Sequence, residues 1–124
     1  MNLPYYTRHE AEQYSFIRIP KVMMTAEIFA GLSVQSKVLY GLLLDRMGTA
    51  SKNQWIDENN KAYIIYPIAE IQEDMSISKK KAIDSLSELE KIGLVEKRQR
   101  GLGLPSWLYV KNFSVEQVVP ERNL

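Results

Sequence analysis

The sequence has no cysteine and a single histidine, and these two shortages remove several classes of site. Without cysteine, the 124 residues can form neither a disulfide nor a thiolate metal site. His9, the one histidine, cannot alone supply a histidine-based metal cluster or a catalytic triad. We therefore expect no metal, no cofactor and no enzymatic activity, and the lack of cysteine is consistent with a cytoplasmic protein.

Long apolar runs are also missing. No stretch approaches the roughly 18 apolar residues of a membrane span, and the first twelve residues lack the apolar centre of a signal peptide. With 45% hydrophobic residues, the chain is long enough for one compact domain and short for two. We expect an arm over residues 1–13, one domain over residues 14–113 and a tail over residues 114–124.

Net charge is small, at +1, but it is unevenly distributed. Residues 76–111 hold eight basic and four acidic residues, a net +4, which leaves −3 for the rest of the chain. A local basic surface on an acidic body is typical of a protein that meets phosphate on one face. The distribution therefore favours a nucleic-acid partner.

Apolar periodicity predicts the elements of the first half of the chain. Residues 14–19 alternate between apolar and polar, which predicts a short strand, and residues 21–30 are expected to be helical in part. Ser33 is a favourable N-cap for the strongest core helix of the sequence. Residues 55–56 and 63–66 are β-prone and flank a polar turn, so they predict a hairpin.

The second half predicts two helices and a second hairpin. Pro67 suits the first position of a short helix, and Ser78 is a favourable N-cap for a longer helix over residues 79–92. Residues 94–99 and 107–111 predict two strands around a glycine-containing loop. The expected fold class is α+β, a winged helix-turn-helix with an additional N-terminal strand and a β-hairpin.

Three lysines occupy the first turn of the longer helix. In helix-turn-helix proteins the second helix enters the major groove with its amino-terminal end toward the base edges. Cations there oppose the helix dipole by about 0.3–1 kcal/mol per charge, which favours phosphate contact over a merely solvated surface. Lys80 and Lys81 are the best candidates for base or phosphate contact, and Lys79 can reach a phosphate through its long stem.

Polar residues around the lysines allow more than one role. Asp84 can accept a hydrogen bond from a cytosine amino group or orient a neighbouring lysine, and the sequence does not separate the two. Ser76 and Ser78 can donate hydroxyls to phosphate, although Ser78 is at least as well suited to be a simple helix cap.

The predicted wing carries Lys97, Arg98 and Arg100 just before its loop. Guanidinium groups there can clamp phosphates or enter a minor groove, and a solvated hairpin is the alternative. Their position beside the lysine helix favours DNA contact.

Three aromatic residues of the first hairpin also allow two interpretations. Trp55, Tyr63 and Tyr66 can form a stacking platform for single-stranded nucleic acid, or they can pack against their own core or a partner subunit. Aromatic residues in hairpins more often pack, so we expect packing.

Five segments of the chain together resemble the amino-terminal domain of the RepA_N replication initiators. They are FIRIP at residues 16–20, LYGLLLDRM at 39–47, WIDEN at 55–59, YIIY at 63–66 and GLVEK at 93–97. The resemblance spans about residues 14–113, and such domains are similar to the winged-helix domain of the DnaD primosome protein. RepA_N initiators belong to theta-replicating plasmids of low-GC Gram-positive bacteria such as staphylococci.

The resemblance implies an initiator that binds double-stranded DNA at repeated sites of a plasmid origin, as a homodimer. It also implies that the tail leads to a separate carboxy-terminal domain, absent here, that engages host replication proteins. A winged-helix transcriptional regulator and a DnaD-like interaction scaffold remain alternatives. The tryptophan hairpin favours the initiator over the regulator, and the lysine triplet weighs against the scaffold.

Overall fold

The computed structural model describes residues 1–8, 15–50 and 52–113. Within these ranges the elements are α1 Val22–Thr25, a 3-10 turn Glu27–Phe29, α2 Val34–Met47, α3 Ile68–Met75, α4 Lys79–Ile92, β1 Val95–Arg98 and β2 Trp107–Val110. The α+β class predicted from the sequence is confirmed, and a helix, a tight turn, a longer helix and a hairpin follow in the expected order. The predicted tail over residues 114–124 lies outside the described residues, as do residues 9–14 of the arm and predicted strand. None of the helices in the described ranges is long and apolar enough to cross a membrane.

Helix α2 forms the centre of the core. The hydroxyl of Ser33 accepts a hydrogen bond from the backbone N–H of Ser36 at 3.1 Å, so the predicted cap is present. Leu39, Tyr40 and Leu43 are completely buried on its inner face. Burial of a side chain of this size stabilises a fold by about 1.5–3 kcal/mol.

A carboxylate from α4 completes the amino terminus of α2. Glu88 accepts the backbone N–H of Ser33 at 2.8 Å and the hydroxyl of Ser33 at 3.1 Å. The unpaired N–H groups and the positive dipole end of a helix both favour an anion at this place. The Ser36 hydroxyl also donates to the carbonyl of Ser85 at 3.3 Å. Hydrogen bonds as well as apolar packing therefore hold α4 against α2.

Helix α4 has the boundaries that the sequence predicted. Ser78 is its N-cap, and Gly93 ends it with a φ of 90°, a conformation that glycine adopts without steric cost. Its apolar stripe, Ala82, Leu86 and Leu89, is buried as expected. The face opposite this stripe is left for solvent or a partner.

The two strands pair antiparallel with Val95 opposite Val110 and Arg98 opposite Trp107. Beyond β2, Ile64 forms a single antiparallel bridge with Leu108, both of them buried. The first predicted hairpin therefore contributes one isolated bridge to the edge of the two-stranded β1–β2 sheet. This bridge connects the middle of the chain to the wing.

The first hairpin is much shorter than the sequence predicted. It consists of one antiparallel bridge, between Ile56 and Ala62. The Asp57 carboxylate accepts the backbone N–H groups of Asn59 and Lys61 at 2.8 and 2.9 Å, which closes a tight polar turn. After that turn the backbone N–H of Tyr63 donates to the Trp55 carbonyl at 3.0 Å, and the next residue, Ile64, bridges to Leu108 of β2.

The N-terminal strand predicted over residues 14–19 is not formed in the part that the structure describes. Residues 15–20 have no regular secondary structure there. They cross α2 at Gly41, where an added Cβ would lie 3.0 Å from Ile19 Cγ1 and 3.1 Å from the Arg18 carbonyl oxygen. The backbone therefore lies against a helix and not beside a strand, which explains the failed prediction.

The segment predicted to be helical in part, residues 21–30, forms α1 and the 3-10 turn, separated by an extended Ala26, so this prediction is confirmed. One smaller difference concerns the start of α3. Pro67 is the N-cap of α3 and not its first helical residue. Its extended backbone, with a ψ of 151°, places it just outside the helix.

Tyr40 joins α2 to the end of the wing and gives a test of the core. Its hydroxyl donates to the Lys111 carbonyl, and its ring meets Phe113 edge-on with centroids 6.1 Å apart. Burial raises the pKa of Tyr40 to about 12. The pKa of Tyr40 in the folded chain exceeds the value of about 10 that it has in the unfolded chain. The stability that the protonated Tyr40 contributes is therefore complete below pH 10 and is lost as the pH rises through 12.

We expect Tyr40→Phe to lower the free energy of unfolding at neutral pH by about 0.5–1.5 kcal/mol, because a buried hydrogen bond is lost. The variant should also lose less stability than the unaltered chain as the pH rises from 10 to 12. Denaturant titrations across that range measure both effects. Tyr5→Phe, at an exposed phenol, is the control. Equal pH slopes for the two variants would show that Tyr40 is not the responsible group.

Candidate nucleic-acid interface

The first turn of α4 presents three exposed lysines, Lys79, Lys80 and Lys81. The turn contains no acidic residue. The Ser78 hydroxyl accepts the backbone N–H of Lys81 at 3.1 Å, which fixes the start of the helix. The three side chains therefore project from an ordered backbone, at the end of the helix where positive charge is least favourable.

The lysines differ in their pairing. Lys80 Nζ lies 3.0 Å from Asp84 Oδ2, with side-chain exposures of 85% and 58%. Such an exposed pair is worth at most about 1 kcal/mol, so a phosphate can displace it. Lys79 and Lys81 have no ion-pair partner among the residues that the structure describes. The pair with Lys80 is compatible with the orienting role of Asp84.

Ser76 sits in the turn between α3 and α4 with a left-handed backbone, at a φ of 54°. This conformation costs a non-glycine residue roughly 1–2 kcal/mol. Here the turn is held by the Gln72 carbonyl, which accepts the backbone N–H of Ile77 at 3.1 Å. The turn is thus tight, and the Ser76 side chain stays exposed beside the first turn of α4.

The structure divides the three wing cations between two faces of the hairpin. Lys97 lies opposite Leu108, on the face turned to the core, and lines a depression of about 160 Å³ together with Ile68 and Leu86. Side chains alternate along a strand, so Arg98 lies on the opposite face. Lys97 is thus the strand cation on the side of α3 and α4. The three cations therefore do not all share one face of the hairpin.

Arg98 is engaged within the chain. Its guanidinium donates to Glu58 at 3.2 Å and lies 3.4 Å from the Tyr109 hydroxyl, which donates to Asp57 at 2.8 Å. Hydrogen bonds hold the pKa of the Asp57 carboxyl below its usual range, the backbone N–H of Lys61 being the largest cause. The charge of Arg98 is therefore already balanced by the polar turn, unlike that of Lys97.

Arg100 lies on a column of aromatic rings. Its Cζ is 3.8 Å from the centroid of the Trp107 ring, and the Tyr63 ring is stacked on Trp107 at 3.9 Å with an interplanar angle of 11°. Trp55 follows Tyr63 at 6.5 Å and 19°. The packing interpretation of Trp55 and Tyr63 fits this arrangement, because the rings cover one another.

Tyr66 has a separate role. Its ring lies under the guanidinium of Arg46, 3.7 Å from Cζ, and its hydroxyl donates to Asp74. Burial and the Asp74 carboxylate raise the pKa of Tyr66. Arg46 also donates to the Ile65 carbonyl at 2.9 Å and pairs with Glu70 at 3.2 Å, so this cluster joins the end of α2 to α3.

Sequence reasoning missed three residues that hold the wing cations: Trp107, Glu58 and Tyr109. Trp107 shares a face with Arg98 in the strand register, so knowledge of that register would have identified it. Glu58 gave no usable signal, since it lies in an apparently ordinary polar turn. In the described parts of the chain, no group of three or more metal-ligating side chains is placed to bind a metal ion.

Comparisons with known proteins agree with one another. A model of the RepA_N family, described as the N-terminus of replication initiator protein A (RepA), matches residues 15–122. A 41 kDa protein of Lactobacillus helveticus is 26% identical over 104 residues, covering 82% of this chain and 30% of that protein. The chain thus spans under a third of the length of this curated relative.

Two solved structures are similar over most of both chains. One, the N-terminal domain of a DNA-binding protein, is 32% identical with a TM-score of 0.77, and the match covers 94% of this chain and 89% of that one. The other, a Rep-DNA complex, is 33% identical with a TM-score of 0.74, and the match covers 88% and 84%.

Proposed function

Since the chain belongs to the RepA_N family, the N-terminus of replication initiator protein A, we propose that it binds double-stranded DNA sequence-specifically at repeated sites of a plasmid origin. The observation that carries the proposal is the exposed lysine turn at the start of α4. Cations at a helix amino terminus are unfavourable unless an anion lies against them. The similarity to a Rep-DNA complex supports DNA as that anion.

In the proposed complex, α4 enters the major groove with its amino-terminal end toward the bases. Lys80 and Lys81 contact base edges or phosphates, and Lys79 reaches a backbone phosphate. Once a phosphate draws Lys80 away, Asp84 becomes free to accept from a cytosine amino group. This order of events gives Asp84 both roles that the sequence left open.

The turn before α4 and the wing supply the remaining contacts. The exposed hydroxyls of Ser76 and Ser78 donate to phosphates on one side of the groove. On the other side, Lys97 and Arg100 contact the backbone or an adjacent minor groove. Arg98 can join them once a phosphate displaces its exposed pair with Glu58, as proposed for Lys80 and Asp84.

Ser78 can be tested apart from the lysines. We expect Ser78→Ala to lower the free energy of unfolding by about 0.5–2 kcal/mol, because the Lys81 N–H loses its acceptor. Ser78→Asp keeps the cap but places a negative charge where phosphate is expected. It should retain stability and lose DNA affinity, as measured by denaturation and by duplex binding. If the Ser78→Asp variant binds the duplex as tightly as the unaltered chain, the DNA does not lie against the start of α4.

Assembly and further partners follow from the proposed role. Repeated or two-fold DNA sites require two DNA-binding domains, one for each half-site, so we propose a homodimer. The exposed apolar side chains of Phe16 and Ile28 provide surface for it. A carboxy-terminal domain in the full-length protein would engage host replication proteins. A monomeric mass, for the chain alone and for its DNA complex, would overturn the dimer.

The proposed function is tested by equilibrium binding to an origin duplex and to a scrambled duplex over a salt series. Strong, salt-dependent preference for the origin duplex supports it. Equal, weak binding to both would reduce the interaction to charge attraction. No binding even at low salt would instead favour an interaction scaffold that uses the fold without DNA.

A further inference from the structure

We propose that Trp107 is a positioning residue, which holds the Arg100 guanidinium ready for a DNA phosphate before the DNA arrives. The inference rests on the proposed function and assigns a role to a residue outside the DNA contacts described above. It starts from the ring column, in which Trp107 lies between a cation and a second ring. The wing would thus meet DNA with an ordered cation at the edge of its loop.

The geometry places Arg100 and Tyr63 on opposite faces of Trp107. Arg100 Cζ and the Tyr63 centroid lie 3.8 and 3.9 Å from the Trp107 centroid, and the two rings are nearly parallel. Two groups this close to one centroid cannot share a face, since they would overlap. The indole therefore lies between Arg100 and Tyr63, and Tyr63 fixes its position from the side opposite Arg100.

The supporting ring is itself anchored in the fold. Tyr63 is 8% exposed, and its backbone N–H donates to the Trp55 carbonyl at 3.0 Å. Tyr109 meets its ring at 6.2 Å and 65°, in an edge contact. Trp107 is also fixed by its place in β2, opposite Arg98. Arg100 thus rests on a surface that does not move with the loop.

The loop itself offers Arg100 little restraint. Arg100 is followed directly by Gly101, with a φ of 117°, and then by Leu102 and Gly103, all of them exposed. A long side chain at such a place samples many rotamers in water, and ordering it on binding weakens affinity by about three- to tenfold. Stacking on Trp107 orders the Arg100 side chain already in the free chain, so this loss of affinity is avoided when DNA binds.

Stacking leaves the guanidinium able to bind phosphate. The ring occupies one flat face of the group, whereas the five N–H donors lie in its plane and point outward. Among the described residues, no acidic partner uses these donors. Arg98 is the contrast, because its Cζ is 5.3 Å from the same ring and its donors engage Glu58 and Tyr109. The positioning effect should therefore pass through Arg100.

A double-mutant cycle tests this coupling. Trp107→Leu, Arg100→Ala and the double variant are compared with the unaltered chain for binding to an origin duplex, and melting temperatures show which variants remain folded. Trp107→Leu should weaken binding three- to tenfold in the unaltered chain and have no further effect once Arg100 is alanine. Trp107→Phe keeps a ring face and should restore most of the affinity. The matched cycle with Arg98→Ala should be additive.

Additive losses from Trp107→Leu and Arg100→Ala would overturn the positioning role and leave the proposed function standing. Absence of binding by the unaltered chain would overturn the proposed function, and the role of Trp107 with it. A second measurement needs no DNA: the Arg100 side-chain protons should show upfield ring-current shifts that disappear in Trp107→Leu. Unshifted Arg100 protons in the folded, unaltered chain would also overturn the proposal.

Discussion

Replacing Lys80 and Lys81 together with alanine should weaken binding to an origin duplex by about 100-fold at physiological salt. Each contact to a base edge contributes about 1–3 kcal/mol, and each phosphate contact adds the release of condensed counterions. The slope of log affinity against log salt should fall in magnitude by about 1 for each lysine that binds phosphate. A salt series on the double variant measures both quantities at once.

The same data separate the two kinds of contact. A lysine on phosphate affects origin and scrambled duplexes alike, whereas a lysine on a base edge reduces the preference between them. Lys21→Ala with Lys52→Ala removes two charges from other exposed positions and should change affinity by less than about threefold. Equal losses for the two double variants would mean that net charge, and not the lysine turn, drives binding.

The largest expected effect on stability comes from Leu89→Ala. Leu89 is completely buried in the apolar stripe by which α4 contacts the core. Truncating a buried leucine removes its transfer free energy and leaves a cavity, at a cost of about 2–5 kcal/mol. A domain of this size has a total stability of only about 5–15 kcal/mol, so the loss is severe. Urea denaturation with a two-state fit provides the measurement.

Ile83→Ala is the matched control for Leu89→Ala. Ile83 lies on the same helix but is 42% exposed, so its truncation should change stability by about 0.5 kcal/mol. Below its melting transition, folded Leu89→Ala should still bind DNA, because the residue lies away from the lysine turn. If the two truncations cost the same, α4 does not depend on its buried stripe as described.

The elements that could be predicted from the sequence are those with local signals. Ser78 and Gly93 mark the two ends of α4. These ends could be predicted because capping requires a particular side chain or backbone conformation at one position. Ser33 identified the start of α2 for the same reason. The position of the lysine turn then followed from the boundary of α4, and the three lysines are exposed in the structure.

What failed depended on contacts between distant parts of the chain. Alternation over residues 14–19 is equally compatible with an extended segment on a helix, and the small Gly41 provides the place where that segment lies. Ile64, in the second half of the first hairpin, bridges to Leu108, far along the sequence. No local pattern specifies either contact.

The β1–β2 hairpin could be predicted from the sequence, but its two faces could not be assigned. A long loop between two short strands leaves the register open, and a shift of one residue exchanges the faces. The register decides that Lys97 lies on the helix side and that Arg98 lies over the polar turn at Glu58. Charge counting treated these two cations as equivalent, whereas their surroundings differ.

The Glu88 carboxylate also attaches one point of α4 to the start of α2, so α4 can turn about that point. From Glu88 to the lysine turn, α4 extends about 12 Å, at about 1.5 Å per residue. Rotation of α4 by about 10° around Glu88 would therefore move the lysines by roughly 2 Å, about the distance between the hydrogen and the acceptor in a hydrogen bond. Together with the buried stripe, these two hydrogen bonds therefore help to set the direction of lysine side chains that they do not contact. Glu88→Ala removes this carboxylate. We expect it to reduce discrimination between similar DNA sites more than it reduces affinity for all of them.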